Sequence, residues 1–228
     1  MSKSRPRKPP TNLAVATDIA VFTLMDDELR LLCIRRGPGA FEGYWALPSG
    51  FLEPHETLDE CAARELVEEA GVDNTFLQQF GVYSVPDRDP RGRVVSLAYL
   101  ALVRADAKRL RAGTDATDAA WFALTDLPRL AFDHPVIIND ARTALRHLSD
   151  TGDIALNLMP ESFTMTELRV AHEKIIGGEC DKRNFSKRIL DLDVVEPTGE
   201  KRTGPHRPAT TYRRKSGEPH TPIRVIGR

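Results

Sequence analysis

The stretch spanning residues 50–72 constrains this chain more than any other feature of its sequence. It reads GFLEPHETLDECAARELVEEAGV. Thr57 is followed three residues later by Glu60, the pattern of a capping box, so a helix is predicted to begin at Leu58. Most of the residues that follow are good helix formers, and Gly71 is the expected end of the helix. The stretch is therefore predicted to form one short helix behind a loop.

The predicted helix carries three carboxylates close together. Glu65, Glu68 and Glu69 are spaced i, i+3 and i+4, and each close pair repels by roughly a few tenths of a kcal/mol. The nearest cation, Arg64, is placed to pair with Glu68 one turn further on. A divalent cation that prefers oxygen ligands, such as magnesium or manganese, would relieve the repulsion. The alternative is an ordinary acidic face exposed to solvent, and the carboxylates alone do not decide between the two.

The residues around the carboxylates complete a known pattern. All nine fixed positions of G-x5-E-x7-R-E-U-x-E-E-x-G-U, where U is apolar, are matched by Gly50, Glu56, Arg64, Glu65, Leu66, Glu68, Glu69, Gly71 and Val72. The segment thus closely resembles the signature of the Nudix hydrolase superfamily. The resemblance implies an α/β/α sandwich and a metal-dependent attack of water on a nucleoside diphosphate linked to another group. It further implies that Arg64 acts in catalysis by orienting a carboxylate and that Glu56 is mainly structural. The implied metal ligands are Gly50, Glu65, Glu68 and Glu69, and the three glutamates are also catalytic.

Composition and charge indicate a soluble protein with two functional parts. The chain has 228 residues, of which 41% are hydrophobic and 29% are charged, values typical of globular proteins. Residues 11–181 carry 16 basic and 28 acidic side chains, a net charge of −12. Residues 182–215 carry 10 basic and 4 acidic side chains, a net charge of +6. The basic segment is therefore the candidate for binding a polyanion.

The sequence indicates a protein of the reduced cytoplasm. Its longest apolar run, within residues 18–25, is too short to span a bilayer. The first residues are basic and rich in proline, without the apolar core of a signal peptide. Cys33, Cys61 and Cys180 lie far apart and lack the spacing of a metal site. We therefore expect free thiols and no membrane association.

Strand patterns flank the central helix and complete the first domain. We predict strands over residues 13–25 and 29–36, which form a hairpin, strands over residues 75–84 and 94–103, and a last strand and turn within residues 121–128. A helix is predicted from about Pro135 to about Leu148. The predicted boundaries are 1–12 for a disordered basic tail, 13–150 for the first domain, 151–160 for a linker, 161–215 for the second domain and 216–228 for a second disordered tail.

Two loops beside the central helix are candidates for ligand binding. Phe41, Tyr44 and Trp45 are either core residues or a platform for a base, and the core is favoured for Trp45. Arginines in and near the second loop are either solvated or contacts for phosphate and ribose. The predicted ligand contacts are Arg35, Arg36, Arg88, Asp89, Arg91 and Arg93.

Two further runs resemble the branch of the superfamily that handles ADP-ribose. They are D-P-R-G-R at residues 89–93 and W-F-x-L-x-D-L-P-x-L-A-F-D-H at residues 121–134. The resemblance implies ADP-ribose or a related nucleotide as ligand. Asp115 and Asp118, in a predicted loop, are either turn formers or a general base.

From about residue 158 the sequence has the pattern of a winged helix. Thr164 and Glu167 form a second capping box before a helix that ends at Gly177, and Asp181 can cap another helix. A short strand, a basic tip and a returning strand follow, as in a β-wing. The residues predicted to face the core from the second helix are Phe185, Ile189 and Leu192. The predicted DNA contacts are Lys182, Arg183, Asn184, Ser186, Lys187 and Arg188 on that helix and Lys201, Arg202, Arg207 and Arg213 on the wing. The alternative is a winged helix used only for dimerisation.

This second part also resembles a known family. The runs MPESFTMTELRVAHEKIIGG, DKRNFSKRIL and RPATTYR are similar to those of the Nudix-related transcriptional regulators, the NrtR family. The resemblance implies a bacterial homodimer on a palindromic operator of double-stranded DNA, whose DNA binding is weakened by ADP-ribose and which is linked to NAD metabolism. Many such regulators have lost parts of the Nudix pattern, whereas this chain keeps all of it.

We therefore expect an α+β protein, a Nudix α/β/α sandwich followed by a winged helix-turn-helix domain. The predicted function is a nucleotide-sensing repressor of NAD-metabolism genes that retains hydrolysis dependent on Mg²⁺ or Mn²⁺. The alternative is primarily a pyrophosphatase for ADP-ribose or nucleoside-diphosphate sugars with an accessory winged helix. A bifunctional protein with a ligand from a sugar pathway also remains open, because fold and pattern do not fix the ligand.

Overall fold

The structure is a computed structural model that describes residues 13–71, 76–105, 116–150, 153–203 and 208–215. The two tails that we expect to be disordered lie outside the described residues. So do Asp115, a candidate general base, and Arg207, a candidate DNA contact.

The elements follow the predicted order, with additional short strands. The first part contains β1 (Ala14–Met25), β2 (Glu28–Arg36), β3 (Trp45–Ala46), β4 (Ser49–Phe51), α1 (Leu58–Ala70), β5 (Phe76–Tyr83), β6 (Val94–Leu102), β7 (Ala116–Ala123) and α2 (His134–Leu148). The second part contains a 3-10 helix (Asp153–Leu158), β8 (Phe163–Thr164), α3 (Met165–Ile176), α4 (Lys182–Asp191), β9 (Val195–Arg202) and β10 (Ala209–Arg214).

The first seven strands form one mixed sheet. Its order is β3-β2-β1-β6-β5, with β4 also paired to β1 and β7 to β2. Strands β1 and β6 are parallel, and β1 and β2 form the predicted antiparallel hairpin. Its turn residues, Asp26 and Asp27, have φ of 52° and 56°. Two consecutive residues with positive φ give a turn whose twist matches that of the flanking strands.

Alternate residues of β1 face opposite sides of the sheet, as the period of two in a strand requires. Ile19 and Val21 pack in one buried cluster with Leu66 of α1. Ala20 and Phe22 pack in another cluster, which contains the buried face of α2. The sheet is therefore covered by a helix on each side, and the predicted α/β/α sandwich is confirmed.

The capping residues in the sequence predicted the ends of the helices correctly. Thr57 with Glu60 and Thr164 with Glu167 both form complete capping boxes, in which the threonine side chain accepts a backbone N–H and the glutamate side chain accepts the N–H of the threonine. Helix α1 ends at Gly71, whose φ of 67° is the left-handed conformation that glycine adopts without strain.

The second part is a winged helix with a three-stranded sheet in the order β8-β10-β9. Phe185 and Ile189 of α4 are buried, as predicted, whereas the prediction for Leu192 is wrong. Helix α4 ends at Asp191, so Leu192 leaves the buried face and is 40% exposed. Within the described residues no helix is long and apolar enough to cross a membrane.

The two parts share one continuous hydrophobic core. A single cluster contains buried residues of the sheet, of α2, of the 3-10 helix and of the winged helix. Ile154 and Leu156 of the 3-10 helix are almost completely buried in it. The segment that we treat as a linker from the sequence thus contains a packed element at residues 153–158.

Candidate functional site

A cavity of about 630 Å³ opens beside the central helix. Its walls come from β1, β2, β4, α1, the loop before β6 and the start of α2. The polar residues that line it are Asp18, Arg36, Ser49, Arg64, Glu65, Glu68, Glu69, Arg88, Asp89, Arg91 and His134. The cavity therefore brings together the three glutamates and most of the predicted ligand contacts.

Gly50 and the side chain of Glu65 are in close contact at one wall of this cavity. A Cβ atom on Gly50 would lie 1.6 Å from Glu65 Oε1 and 1.9 Å from Glu65 Cδ. Only glycine therefore leaves room for the carboxyl group of Glu65, whose side chain is 9% exposed. Burial raises the pKa of Glu65, and the attraction of Arg64 offsets part of this effect. A buried carboxylate of this kind is suited to a cationic partner.

Arg64 is the centre of a charged network on α1. It forms a two-pronged pair with Glu56, with Nε–Oε2 and Nη2–Oε1 distances of 3.0 and 2.7 Å. Its Nη1 also donates to Glu65 Oε1 at 2.6 Å and to Glu68 Oε2 at 3.2 Å. The predicted pair between Arg64 and Glu68 is thus present. Hydrogen bonds from Arg64 lower the pKa of Glu56 to about 2, which keeps Glu56 ionised as an anchor for the arginine.

The carboxylates fit a divalent cation by chemistry, although their present rotamers do not form a cage. Glu69 Oε2 accepts the backbone N–H of Ser49 at 2.8 Å, and Arg64 holds Glu65 and Glu68. Within the described ranges no group of three His, Cys, Asp or Glu side chains is arranged to hold a metal ion. Three carboxylates bordering one cavity nevertheless form the donor set that a hard cation prefers.

Arg88 lines the cavity, and its guanidinium forms hydrogen bonds with two carboxylates of the chain. It donates to Asp18 Oδ2 at 2.8 Å and to both carboxylate oxygens of Asp133, at 2.9 and 2.7 Å. The side chains of Arg88 and Asp18 are each 4% exposed. Burial alone would raise the pKa of Asp18, but His134, Arg88 and Ser96 outweigh it and lower the pKa to about 2. Arg88 is therefore an internal ion-pair partner in this structure.

His134 is a cavity residue that the sequence did not reveal as part of the site. Its Nδ1 accepts the backbone N–H of Leu47 at 2.9 Å, and its Nε2 lies 3.3 Å from Asp18 Oδ1. Because Nδ1 accepts a hydrogen bond, the ring proton is on Nε2, which faces Asp18. The only signal in the sequence is the D-H pair that ends the second ADP-ribose-type run.

The other predicted ligand contacts divide into two groups. Arg36 and Arg91 line the cavity, and Asp89 holds Arg91 through two hydrogen bonds from Nε and Nη2, of 3.0 and 2.7 Å. Arg35 and Arg93 are not among the lining residues. Arg93 instead donates to the carbonyl oxygen of Ser84 at 2.8 Å.

The sequence analysis placed Asp118 in a loop, but in the structure this residue lies in strand β7. Strand β7 begins at Ala116, five residues before the predicted start, and Asp118 pairs with Arg35 in the register of β7 and β2. The strand continues upstream because its neighbour β2 offers backbone partners there. Asp118 is exposed and is not among the residues that line the cavity.

The aromatic residues of the first loop are partly buried and pack against hydrophobic clusters. Trp45 packs against Phe122 with ring centroids 4.8 Å apart and joins the main core, as predicted. Phe41 and Tyr44 pack on each other at 5.6 Å, beside a small buried cluster.

The N-terminal end of α4 presents an exposed basic surface. Lys182, Arg183, Asn184, Lys187 and Arg188 are exposed, and the Ser186 side chain donates to the carbonyl oxygen of Lys182 at 2.8 Å. Among the described residues, Lys182, Arg183 and Lys187 of this helix and Lys201 of the wing form no ion pair. The side chains of these four lysines and arginines are therefore available to a polyanion.

The other predicted DNA-contacting cations that the structure describes have partners within the chain. Arg202 pairs with Glu167 and donates to the carbonyl oxygen of Ser162. Arg213 pairs with Glu196 at 2.7 Å. To contact DNA, Arg202 and Arg213 must exchange their glutamate partners for phosphate groups.

Comparison with known proteins finds two family models that match different parts of the chain. The NUDIX domain model matches residues 15–141. The model of the NrtR DNA-binding winged helix domain matches residues 155–214.

Two proteins that are similar to this chain over both of its parts are named NtrR and NrtR. The ADPR responsive transcriptional repressor NtrR of Acinetobacter baylyi is 34% identical over 203 residues, which are 87% of this chain and 81% of that protein. NrtR of Shewanella oneidensis, in a crystal structure with a 27mer DNA, gives a TM-score of 0.78 at 30% identity and covers 88% of this chain and 93% of its own.

Two of the proteins that are similar to the first part alone have ADP-ribose in their names. The NUDIX domain of the Shewanella oneidensis protein complexed with ADP ribose gives a TM-score of 0.55 at 31% identity, over 63% of this chain and 94% of its own. An ADP-ribose pyrophosphatase of Methanocaldococcus jannaschii is 43% identical over 122 residues, which are 54% of this chain and 71% of that protein. The family models and the similarity over nearly the whole length lead to one conclusion: the chain belongs to the Nudix superfamily and, within it, to the NrtR family of transcriptional regulators.

Proposed function

We propose that this protein is a transcriptional repressor that binds operator DNA through its winged helix and releases it when ADP-ribose occupies the Nudix cavity. The observation that carries the proposal is the presence in one chain of a cavity lined by carboxylates and arginines and of an exposed basic helix end. The names of the Acinetobacter baylyi and Shewanella oneidensis proteins support it. We further propose that it acts in the cytoplasm on genes of NAD metabolism.

On the DNA side, helix α4 enters the major groove. Arg183 is suited to guanine and Asn184 to adenine, because these side chains match the edges of those bases. Lys182, Ser186, Lys187 and Arg188 on the helix, and Lys201, Arg202, Arg207 and Arg213 on the wing, contact phosphates or flanking bases. A homodimer places two such helices on a palindromic operator.

On the nucleotide side, Arg36 and Arg91 bind the diphosphate, and Arg88 and Asp89 form part of the surrounding wall, whereas Arg35 and Arg93 lie outside the cavity lining. Glu65, Glu68 and Glu69, with the backbone of Gly50, hold a divalent cation, either Mg²⁺ or Mn²⁺. A cation bound there would neutralise charge on the diphosphate and lower the pKa of an attacking water. Arg64 keeps the carboxylates in place through its pair with Glu56.

Helix α2 connects the two sites. Its first residue, His134, lines the cavity, and beyond its last turn the carbonyl oxygen of Asp150 accepts a hydrogen bond of 3.2 Å from Arg188 Nη1 of α4. The helix has 15 residues, which corresponds to about 22 Å. A displacement at the cavity end of α2 would therefore reach the DNA-binding helix through a packed element.

A second function, hydrolysis of ADP-ribose to AMP and ribose 5-phosphate, is favoured by the complete set of Nudix residues. The clearance of Gly50 for Glu65 and the pair between Arg64 and Glu56 are both intact. Such hydrolysis would also end the signal that the regulator senses. Purified protein with magnesium and ADP-ribose should release both products, and the absence of products across a panel of nucleotide sugars would exclude this activity.

The experiment that tests the repressor function is a gel-shift titration. Operator fragments from upstream of the protein's own gene and of NAD-pathway genes are bound first, and ADP-ribose is then added with magnesium. Release of the DNA by ADP-ribose, but not by ribose 5-phosphate, is the expected result. An operator complex whose stability does not change with ADP-ribose would contradict the proposal.

A further inference from the structure

A buried histidine joins the two helices of the winged helix. His172 lies on α3 and is 4% exposed. Its ring packs on the ring of Phe185 of α4, with centroids 5.1 Å apart and planes inclined by 33°. Phe185 and Ile189 are the residues by which α4 is buried in the core. A change in the state of His172 therefore acts on the position of the DNA-binding helix.

The imidazole of His172 lacks a polar partner on one side. Its Nδ1 atom is buried and has no hydrogen-bond partner within the part of the chain that the structure describes. A buried polar atom without a partner costs about 1–3 kcal/mol. An apolar side chain of similar size would avoid this cost, so stability alone does not account for a histidine between α3 and α4.

The surroundings of His172 oppose a positive charge on its ring. Burial, followed by the repulsion of Arg188 on α4, lowers the pKa of His172 below its ordinary value of 6.5, and Glu173 on α3 offsets part of this effect. Glu173 is itself engaged, because it accepts the backbone N–H of Cys180 at 2.9 Å and pairs with Arg169. Among the described residues, the 3-10 helix, α2 and the strands that pack on α3 add no charged group that acts on the ring.

Arg188 contacts the same phenylalanine as His172. The Cζ atom of Arg188 lies 5.6 Å from the centroid of Phe185, and Nη1 of Arg188 donates to the carbonyl oxygen of Asp150 beyond the end of α2. A protonated His172 would thus place a second cation beside one buried ring. The two cations would repel each other, and the charged imidazole would be without water in the core.

We propose that His172 makes operator binding sensitive to pH: its neutral ring keeps α4 packed on α3, and protonation of the ring displaces α4 and releases the DNA. This inference rests on the proposed repressor function and adds the proton as a second input, at a place outside the nucleotide cavity. Stability that depends on a neutral histidine is complete above about pH 6.5 and is lost as the pH falls below this value.

The sign of the effect distinguishes this switch from ordinary electrostatics. Protonation of exposed histidines adds positive charge, which strengthens binding to the phosphates of DNA. Protonation of His172 should weaken binding instead, because it displaces the helix that carries the DNA contacts. Acidification therefore lowers operator affinity only if the buried histidine dominates.

The test is the Kd of the full-length protein for a duplex from upstream of its own gene or of NAD-pathway genes. Fluorescence anisotropy at constant ionic strength compares about pH 7.5 with about pH 5.5, which lie on either side of the ordinary pKa of histidine. The Kd of wild type should rise several-fold on acidification, with a limit of about tenfold for one pH unit below that pKa.

Variants without the titrating group should lose this rise. His172→Phe and His172→Gln cannot gain a proton, and thermal melts verify that each is folded. Either variant that is folded should bind the duplex at about pH 5.5 at least as tightly as at about pH 7.5. His147→Gln is the matched control, because His147 is exposed on α2, and it should keep the rise of wild type.

Hydrogen exchange follows the movement of α4 without DNA. At about pH 5.5 the amides of α4 should exchange faster in wild type than in His172→Phe, and at about pH 7.5 the two proteins should exchange at the same rate. A wild-type Kd that does not rise with acid, or that rises equally in both His172 variants, would overturn the switch alone. A wild type that binds none of the duplexes at either pH would refute the proposed function, and equal exchange of α4 in wild type and His172→Phe at both pH values would then overturn the switch as well.

Discussion

Removing Arg88 should destabilise the protein strongly, because it leaves two carboxylates inside the fold without their cation. The Arg88→Met variant keeps most of the side-chain volume and removes the guanidinium that pairs with Asp18 and Asp133. Breaking a buried pair from one side costs about 3–5 kcal/mol. Taking the lower figure and roughly 2–4 °C per kcal/mol for a chain of this size, the melting temperature should fall by about 6–12 °C.

The pH dependence gives the same prediction a second readout. The pKa of Asp18 is lowered from 3.8 to about 2 in the folded protein, which corresponds to about 2 kcal/mol of stability. A depressed pKa stabilises the fold above the unfolded pKa, and this contribution is lost as the pH falls through the folded pKa. The difference between wild type and Arg88→Met should therefore be largest near pH 7 and shrink between about pH 4 and pH 2.

Urea unfolding at a series of pH values measures this difference directly. Arg93→Met is the matched control, since Arg93 is exposed, and a surface change of this kind should alter the free energy of unfolding by less than about 0.5 kcal/mol. If Arg88→Met has the stability of wild type and instead loses only affinity for ADP-ribose, then Arg88 is a ligand contact and the reasoning from the ion pairs is refuted.

Four further predictions concern the two sites. Gly50→Ala should abolish magnesium-dependent turnover of ADP-ribose, because the added Cβ occupies the place of the Glu65 carboxyl; turnover at the wild-type rate would contradict this. Glu69→Gln should lose nearly all turnover and keep its melting temperature within a few degrees, as a product assay and a thermal melt will show. Arg183→Gln should weaken operator binding by about 1–3 kcal/mol in fluorescence anisotropy. Operator binding as tight as that of wild type would contradict the assignment of Arg183 on α4 as a base contact. Arg188→Gln should reduce the effect of ADP-ribose on operator affinity, whereas Lys187→Gln should weaken DNA binding and leave that effect unchanged; identical responses would exclude the contact between Arg188 and Asp150 from the coupling.

The features that were predictable from the sequence are those that depend on neighbours along the chain. Thr57 with Glu60 and Asp181 before α4 cap their helices through contacts three residues away, so spacing alone identifies them. The i, i+4 pair of Arg64 and Glu68 follows from helix geometry in the same way.

What could not be predicted depends on contacts between distant segments. The sequence indicates that Arg88 is an exposed loop residue, whereas in the structure it pairs with Asp18, which is 70 positions away. The Nδ1 atom of His134 accepts its hydrogen bond from the backbone N–H of Leu47, which is 87 positions away. Asp118 lies in a strand because β2 provides its pairing partner, and Phe51 and Phe132 line one cavity although they are far apart in the sequence. None of these contacts leaves a local pattern.

The central claim is that nucleotide occupancy and DNA binding are coupled within one chain, and calorimetry of ADP-ribose with and without saturating operator tests it most directly. Binding energies that are linked must be linked in both directions. The account predicts that operator DNA raises the Kd for ADP-ribose by the same factor by which ADP-ribose raises the Kd for the operator. An identical Kd for ADP-ribose in the presence and absence of the operator would contradict it.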